Sequence, residues 1–89
     1  MPKRNEHTEI LVAGAAVSVG AVTVLPIERV VLHSRRGDGR WWFAAVKEPY
    51  ALVLRDAGGI RAFDTTAATI PIDTLRELFP RLDAVLAAM

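Results

Sequence analysis

The sequence predicts an α+β domain, in which a mostly antiparallel β-sheet of about six to seven strands carries a C-terminal helical segment packed on it. Three observations predict this class. Short runs in which apolar and polar residues alternate recur between turn signals over residues 8–63. Residues 50–64 form a complete β-hairpin signal, with turn residues at 56–59 between two alternating runs. Leucines then recur at helical spacing toward the end of the chain. Whether the sheet closes into a barrel stays open.

Composition limits the size and the class of the protein. A chain of 89 residues is expected to form a single domain over residues 1–89, and 52% apolar residues are typical of a folded globular protein. Eleven basic and ten acidic side chains give a net charge of +1, so no global field attracts nucleic acid or an anionic membrane. The absence of cysteine excludes disulfides, thiolate metal sites and cysteine catalysis, and it fits a cytoplasmic location.

The strands are predicted from the alternating runs in order along the chain. Residues 1–7 are polar and are expected to form a flexible tail. Pro26 cannot donate to a ladder, which predicts an edge position or a bulge there. The glycine-rich segment 35–40 is interpreted as a hairpin loop, and residues 47–49 as a connector. The predicted strands cover residues 8–13, 16–19, 22–27, 28–34 and 41–46, followed by the two strands of the hairpin.

The last segment of the chain changes to a helical pattern. Asp73 is placed to cap a helix that starts at Thr74, with Ile72 as the outer half of a hydrophobic staple. Pro80 removes a backbone donor, which predicts either a kink or two short helices with Pro80 opening the second. One apolar face is predicted to contain Leu75, Leu78, Phe79, Leu82, Leu86 and Met89.

A membrane or export segment is an alternative interpretation of residues 10–27, which contain no charge and follow a basic pair. Glu6 and Glu9 lie between that pair and the apolar run, where a signal peptide has no acid. The valines of the run alternate with small or polar neighbours at a period of two, which is typical of a strand. We therefore expect a protein without a membrane segment.

One group of side chains resembles a binding site. Basic side chains beside exposed aromatic rings bind single-stranded nucleic acid when the rings stack on bases and the charges meet phosphates. The competing interpretation is a solvated loop with one tryptophan in the core, because adjacent strand residues face opposite sides. The candidate binding residues are Arg35, Arg36, Arg40, Trp41, Trp42 and Lys47.

Catalytic chemistry has the least support in the sequence. His33 and Ser34 are neighbours on a predicted strand, so their side chains point apart and cannot act as base and nucleophile. The chain has two histidines and no cysteine, and no visible spacing of carboxylates completes a metal site. The sequence therefore predicts a protein that is not an enzyme, with no metal ligands and no cofactor.

Two segments resemble a known family. AVSVGAVTVLPIERV, residues 16–30, resembles the V-x-V-G-x-x-T-V-x-P-V-x-R-V segment of the sporulation protein YtfJ family, also called GerW. PYALVLRDAGGIRAF, residues 49–63, resembles that family's proline-led strand, aspartate-glycine turn and following strand. The chain departs from the family where HSRRGDGRWWFAAVKE replaces a long glycine-rich loop and where a helix follows Pro71. The resemblance implies a small bacterial β-rich protein with a non-catalytic role, and it carries over no catalytic residue.

The predicted function is that of a non-enzymatic interaction module. A small core together with a high apolar fraction leaves surface hydrophobic residues to cover, which predicts a homo-oligomer, a dimer in the first instance, or an unknown protein partner. The alternative is a weak single-stranded nucleic-acid binder that uses the basic and aromatic segment 35–47. A third interpretation is a small exported or membrane-associated protein.

Overall fold

The computed structural model describes residues 4–89, with side chains from residue 7 onward. It confirms the predicted α+β class, since antiparallel strands precede a C-terminal helical segment. The elements are β1 (Arg4–Ala13), β2 (Val17–Val19), β3 (Val22–Gly37), β4 (Arg40–Asp56), β5 (Gly59–Asp64), β6 (Thr69–Ile70), α1 (Ile72–Leu78) and α2 (Leu82–Ala88).

The strands form one open antiparallel sheet in the order β1-β3-β4-β5-β6. The short strand β2 also pairs with β3, beyond the point where β1 ends. Because β1 and β6 lie at opposite ends of this order, the sheet formed by residues 4–89 does not close into a barrel.

Strands β3 and β4 are much longer than predicted, at 16 and 17 residues. Each combines two segments that the sequence separates, and the expected connector 47–49 lies inside β4. The pairing register shifts where Ile27 and Glu28 of β3 face Ala51 and Pro49 of β4, so that Tyr50 is the extra residue of a β-bulge. Pro49 and the bulge at Tyr50 interrupt the alternation of the sequence, but β4 continues through both.

Pro26 occupies an interior strand next to this bulge. Its carbonyl accepts a hydrogen bond from the Gly14 nitrogen over 2.8 Å, so the backbone groups of Pro26 face the side of β1 and β2. Neither of those strands pairs with Pro26, because β1 ends at Ala13 opposite Ile27 and β2 begins at Val17 opposite Val24. The missing donor thus falls in the gap between two strands, where the ladder does not need it.

The predicted flexible tail over residues 1–7 is wrong for its last four residues. Residues 4–7 belong to β1, and His7 lies opposite His33 in β3. The length of β3 explains the difference, since the far end of this 16-residue strand supplies backbone partners for residues 4–7. Residues 1–3 of the predicted tail lie outside the described residues.

The hydrophobic core lies between one face of the sheet and the two helices, and we call this side of the sheet the helix-covered face. Pleating places Ala51 and Val53 on this face, while Leu52 points to the opposite side, which we call the open face. The Arg55 guanidinium, also on the helix-covered face, donates to the Leu86 carbonyl of α2. The core contains Leu25, Ile27, Ala51, Val53, Ala62, Leu75, Phe79, Leu82 and Leu86.

The two short helices that Pro80 predicts are present, but their ends differ from the prediction. Helix α2 begins at Leu82 rather than at Pro80. Pro71 occupies the cap position of α1, and Asp73 lies inside its first turn, where it accepts a hydrogen bond from Arg76 over 2.9 Å. The capping role of Asp73 is therefore wrong. Leu78, which the sequence places on the apolar face, is 51% exposed. Helix α1 ends at this residue, so Leu78 does not share a face with the buried leucines of α2.

The molecule is elongated, with extents of 58 × 24 × 21 Å and a radius of gyration of 16.8 Å. A compact domain of this length has a radius of gyration of about 12 Å. The difference comes from the ends of β1, β3 and β4 that extend past the helices. We call this extension the arm and define it as residues 4–10, 28–37 and 40–49.

Candidate interaction surface

The tip of the arm is a two-residue hairpin turn. Asp38 and Gly39 have φ values of 52° and 72°, which is the positive pair of a type I′ turn, and Gly37 pairs directly with Arg40. The predicted loop over 35–40 is therefore shorter, because an Asp-Gly pair accepts this conformation and lets both strands stay paired to the tip. The side chains near the tip are consequently fixed on the two faces of a sheet.

Both tryptophans are exposed on the arm. Trp41 is 55% exposed and Trp42 is 57% exposed, and as neighbours on a strand they lie on opposite faces. The prediction that one of them is buried in the core is wrong. Strand alternation does separate the two rings, but the helices stop short of this part of the sheet, so both faces meet solvent at Trp41 and Trp42.

An aromatic and cationic stack lies on the open face near the tip. The rings of Trp41 and Phe43 are parallel within 4° and their centroids are 5.7 Å apart. The Arg36 guanidinium lies 5.1 Å from the centroid of the Trp41 ring, within the range of a cation–π interaction. Cross-strand pairing of Arg36 with Trp41 brings these two groups together.

The six predicted binding residues do not form one site. Arg36, Trp41 and Lys47 lie on the open face, whereas Arg35, Arg40 and Trp42 lie on the helix-covered face. Lys47 is six residues from Trp41 along the strand, about 20 Å away, and it pairs with Glu28 over 3.3 Å. Sequence reasoning missed Phe43, whose position two residues after Trp41 indicates the same face.

Exposed apolar side chains recur along the open face, interrupted by Arg36 and by the ion pair of Glu28 and Lys47. Neither helix covers this face, and the register places large exposed side chains on it from the β2 end to the tip of the arm. Groups of exposed apolar side chains rimmed by polar residues mark interaction sites in soluble proteins. The exposed large hydrophobic residues on this face are Ile10, Val17, Val19, Leu32, Trp41, Phe43 and Leu52.

A concavity of about 840 Å³ interrupts the open face beside the β-bulge. Pro26, Pro49, Leu52 and Phe63 contribute apolar walls, and the ion pair between Glu28 and Lys47 lies at its side. A second concavity, of about 600 Å³, lies on the opposite side between β1 and the link from α1 to α2.

The outer edge of β4 is unpaired along the arm. Strand β5 pairs with β4 only over residues 51–56, and no strand within residues 4–89 pairs with the outer edge over 40–49. The side chains along this edge include Trp41, Trp42, Phe43 and Val46, each of which is more than a third exposed. A long apolar edge presents a row of free N–H and C=O groups, which is a template for another strand.

Two further groups of titratable side chains of the arm lie on the helix-covered face. His7 Nδ1 lies 3.3 Å from His33 Nδ1, and His7 Nε2 bonds the Glu9 carboxylate over 3.0 Å, which holds the pKa of Glu9 below its usual value. Arg29 pairs with Glu48, and this hydrogen bond raises the pKa of Arg29. His7 contacts His33 through Nδ1 and Glu9 through Nε2, on opposite edges of its ring, so these three side chains do not surround a common ligand position.

Among the side chains described from residue 7 onward, no cluster of His, Asp and Glu has the arrangement of a metal site. Within residues 4–89, neither helix has the length and apolar character needed to cross a membrane.

The chain has no match among protein-family models, curated proteins or solved structures. The resemblance to the YtfJ family stays a prediction. The features that bear on function are therefore the arm, its unpaired edge and the open face.

Proposed function

We propose that the protein is a non-enzymatic interaction module that self-associates as a dimer through its arm. The observation that carries this proposal is that the arm exposes large aromatic side chains on both faces next to an unpaired strand edge. A second copy supplies both an apolar surface and a strand edge, so it satisfies both features at once.

The energetic case for a second copy comes from the aromatic residues. Trp41, Trp42 and Phe43 are between 55% and 61% exposed. Removing roughly 100 Å² of each ring from water stabilises a complex by about 2–3 kcal/mol per residue, before the cost of association. Three such residues in each of two copies give about 12–18 kcal/mol against an association cost of about 4–15 kcal/mol, which favours a dimer.

Sedimentation velocity and light scattering test the proposal directly. We expect a species of about twice the 9.7 kDa chain mass at micromolar concentration. Dilution should return the protein to 9.7 kDa and shift the tryptophan emission to longer wavelength, because Trp41 and Trp42 become more exposed. A monomer at every accessible concentration would contradict self-association.

Single-stranded nucleic-acid binding is a second candidate function, favoured by the exposure of both tryptophans and by the stack of Arg36, Trp41 and Phe43. Such a surface places rings against bases and a guanidinium near phosphates. A titration with a single-stranded oligonucleotide should then quench tryptophan fluorescence, and the affinity should fall as salt rises. Absence of quenching, or quenching that is indifferent to salt, would exclude this function.

A bacterial origin and a cytoplasmic setting belong to the same proposal. The bacterial origin is supported by the resemblance of residues 16–30 and 49–63 to the YtfJ family, and the cytoplasmic setting by a sequence without cysteine.

A protein partner other than a second copy is the alternative occupant of the arm. Co-purification at native abundance with a different chain at fixed stoichiometry would support it.

A further inference from the structure

The backbone of β4 alternates between two directions along the arm. In a two-residue hairpin the closing pair, Gly37 and Arg40, exchanges both backbone hydrogen bonds, and the pairs then alternate between bonded and non-bonded. The even-numbered residues of β4 in the arm thus bond to β3. The odd-numbered residues turn their N–H and C=O groups to the free edge, namely Trp41, Phe43, Ala45 and Lys47.

This free edge has defined ends. The Asp38–Gly39 turn ends it on one side, and Pro49, which has no N–H to offer, ends it on the other just before the Tyr50 bulge. Nine residues, 40–48, remain between these ends. An antiparallel pairing of two copies that uses all nine has a single register, with Ala44 on the two-fold axis.

The sequence of this segment is complementary to itself in that register. Arg40 falls opposite Glu48 of a second copy, so that a carboxylate already paired with Arg29 gains a second cation, and Trp41 falls opposite Lys47, a cation beside an aromatic ring. Between these outer pairs and the two-fold axis, large residues of one copy lie opposite small or β-branched residues of the other. The remaining cross-strand pairs are Trp42 with Val46, Phe43 with Ala45, and Ala44 with Ala44.

We propose that two copies of the chain associate edge to edge through antiparallel pairing of residues 40–48, which joins their sheets into one continuous sheet. This inference rests on the proposed self-association and specifies its surface, its direction and its register. The opposite charges of Arg40 and Glu48 and the pairing of large with small residues about Ala44 support a second copy over an unrelated strand.

The outer edge of β1 is the competing edge for strand addition. Its outward-facing backbone groups belong to residues such as His7 and Glu9, which carry polar side chains that already bond each other. Pairing of β1 with β4 of another copy is a heterologous contact, which continues into an open assembly and not a closed dimer. Pairing of β4 with β4 closes after two copies.

Disulfide trapping tests the register, because the chain has no native cysteine. In the proposed pairing the two Ala44 Cβ atoms are directly opposed at about 5 Å, whereas the two Ala45 Cβ atoms lie on a diagonal at about 7 Å. Mild oxidation should therefore convert most of the Ala44→Cys variant to a covalent dimer and little of the Ala45→Cys variant. Ala45 is more exposed than Ala44, so cross-linking by random collision would be more extensive in the Ala45→Cys variant.

Proline substitution tests the edge itself. Ala45→Pro removes an outward-facing N–H without taking a hydrogen bond from β3, and we expect it to shift the sedimenting species from the dimer to 9.7 kDa. Glu9→Pro makes the same change on the outer edge of β1, and Leu52→Glu places a charge on the open face. Both control variants should remain dimers.

The outcomes separate this inference from the proposed function. A wild-type monomer overturns both. A wild-type dimer whose Ala44→Cys variant fails to cross-link overturns the register and leaves self-association standing. A dimer that survives Ala45→Pro but is lost in Leu52→Glu overturns edge pairing in favour of stacked open faces.

Discussion

The Arg55 guanidinium donates a hydrogen bond to the Leu86 carbonyl over 3.1 Å, and this contact joins β4 to the last turn of α2. The Leu86 carbonyl also accepts a longer hydrogen bond of 3.4 Å from the Met89 N–H, and a cation at this end of a helix meets the negative end of the helix dipole. The contact with Arg55 thus adds a second, charged donor to this carbonyl and holds α2 against the helix-covered face.

Replacing Arg55 with Met should lower the free energy of unfolding by about 1–2 kcal/mol, since it removes a hydrogen bond from a charged group. Urea denaturation at one fixed protein concentration measures the change. Arg61→Met is the matched control, because Arg61 pairs only with Asp56 at an exposed site and should cost less than about 1 kcal/mol. Equal losses in the two variants would contradict a structural role for the contact with Leu86.

Leucines on the helices should differ sharply in their contribution to stability. Leu82 is fully buried in the core, so Leu82→Ala should lower the free energy of unfolding by about 2–5 kcal/mol. Leu78 is 51% exposed, so Leu78→Ala should change it by less than about 1 kcal/mol. Thermal or urea unfolding of both variants checks the assignment. A large loss at Leu78 would mean that this residue is covered, either by the core or by a second copy.

Local patterns in the sequence were sufficient for the elements that short-range chemistry defines. Helical spacing of leucines predicted the C-terminal helices, Pro80 predicted their separation, and the turn residues before Gly59 predicted the hairpin of β4 and β5. The alternation in the hairpin did not tell whether Leu52 and Leu54 or their alternates face the helices, and the structure places Ala51 and Val53 in the core. Each of these features depends on neighbours within a few residues.

Features that depend on distant partners could not be predicted in this way. The bulge at Tyr50 lets β4 continue past Pro49, and β3 provides a partner for residues 4–7 that composition alone describes as a tail. The exposure of both Trp41 and Trp42 depends on where the helices end over the sheet. Alternation along a strand assigns each side chain to one face of the sheet, but it does not tell which part of that face the helices cover.

Asp64 should make the stability of the protein depend on pH. Its carboxylate accepts hydrogen bonds from the Thr66 backbone N–H and hydroxyl and from the Ala68 N–H, and these bonds lower the pKa of Asp64. A carboxyl group with a lowered folded-state pKa stabilises the fold above its ordinary pKa of about 4, and this stability is lost as the pH falls through the lower folded value.

Asp64→Ala should therefore lower the melting temperature at pH 7, and the difference from wild type should shrink as the pH falls below about 4. Thermal unfolding followed by circular dichroism between pH 7 and pH 3 measures both effects. Thr66→Val removes only the hydroxyl donor, so it should reproduce part of the same pH dependence. A difference that stays constant with pH would show that Asp64 acts through packing and not through its charge.

The turn at the tip of the arm should tolerate one substitution and reject another. Gly39 has a φ of 72° and Asp38 a φ of 52°, and both lie in the left-handed region. Gly39→Val should destabilise the hairpin by about 1–2 kcal/mol, since a side chain with a branched Cβ is strained there. Asp38→Asn should have little effect, because asparagine adopts this conformation readily.

The loss of stability should be local, because the turn lies at the tip of the arm, away from the core residues that the helices cover. Amide hydrogen exchange of residues 35–42 should accelerate in Gly39→Val while the exchange of core amides such as those of Val53 and Ala62 stays unchanged. The same variant should also weaken dimerisation if residues 40–48 form the interface, since a frayed tip no longer presents Trp41 and Phe43 in register. Uniformly faster exchange across the whole sheet would contradict an arm that is independent of the core.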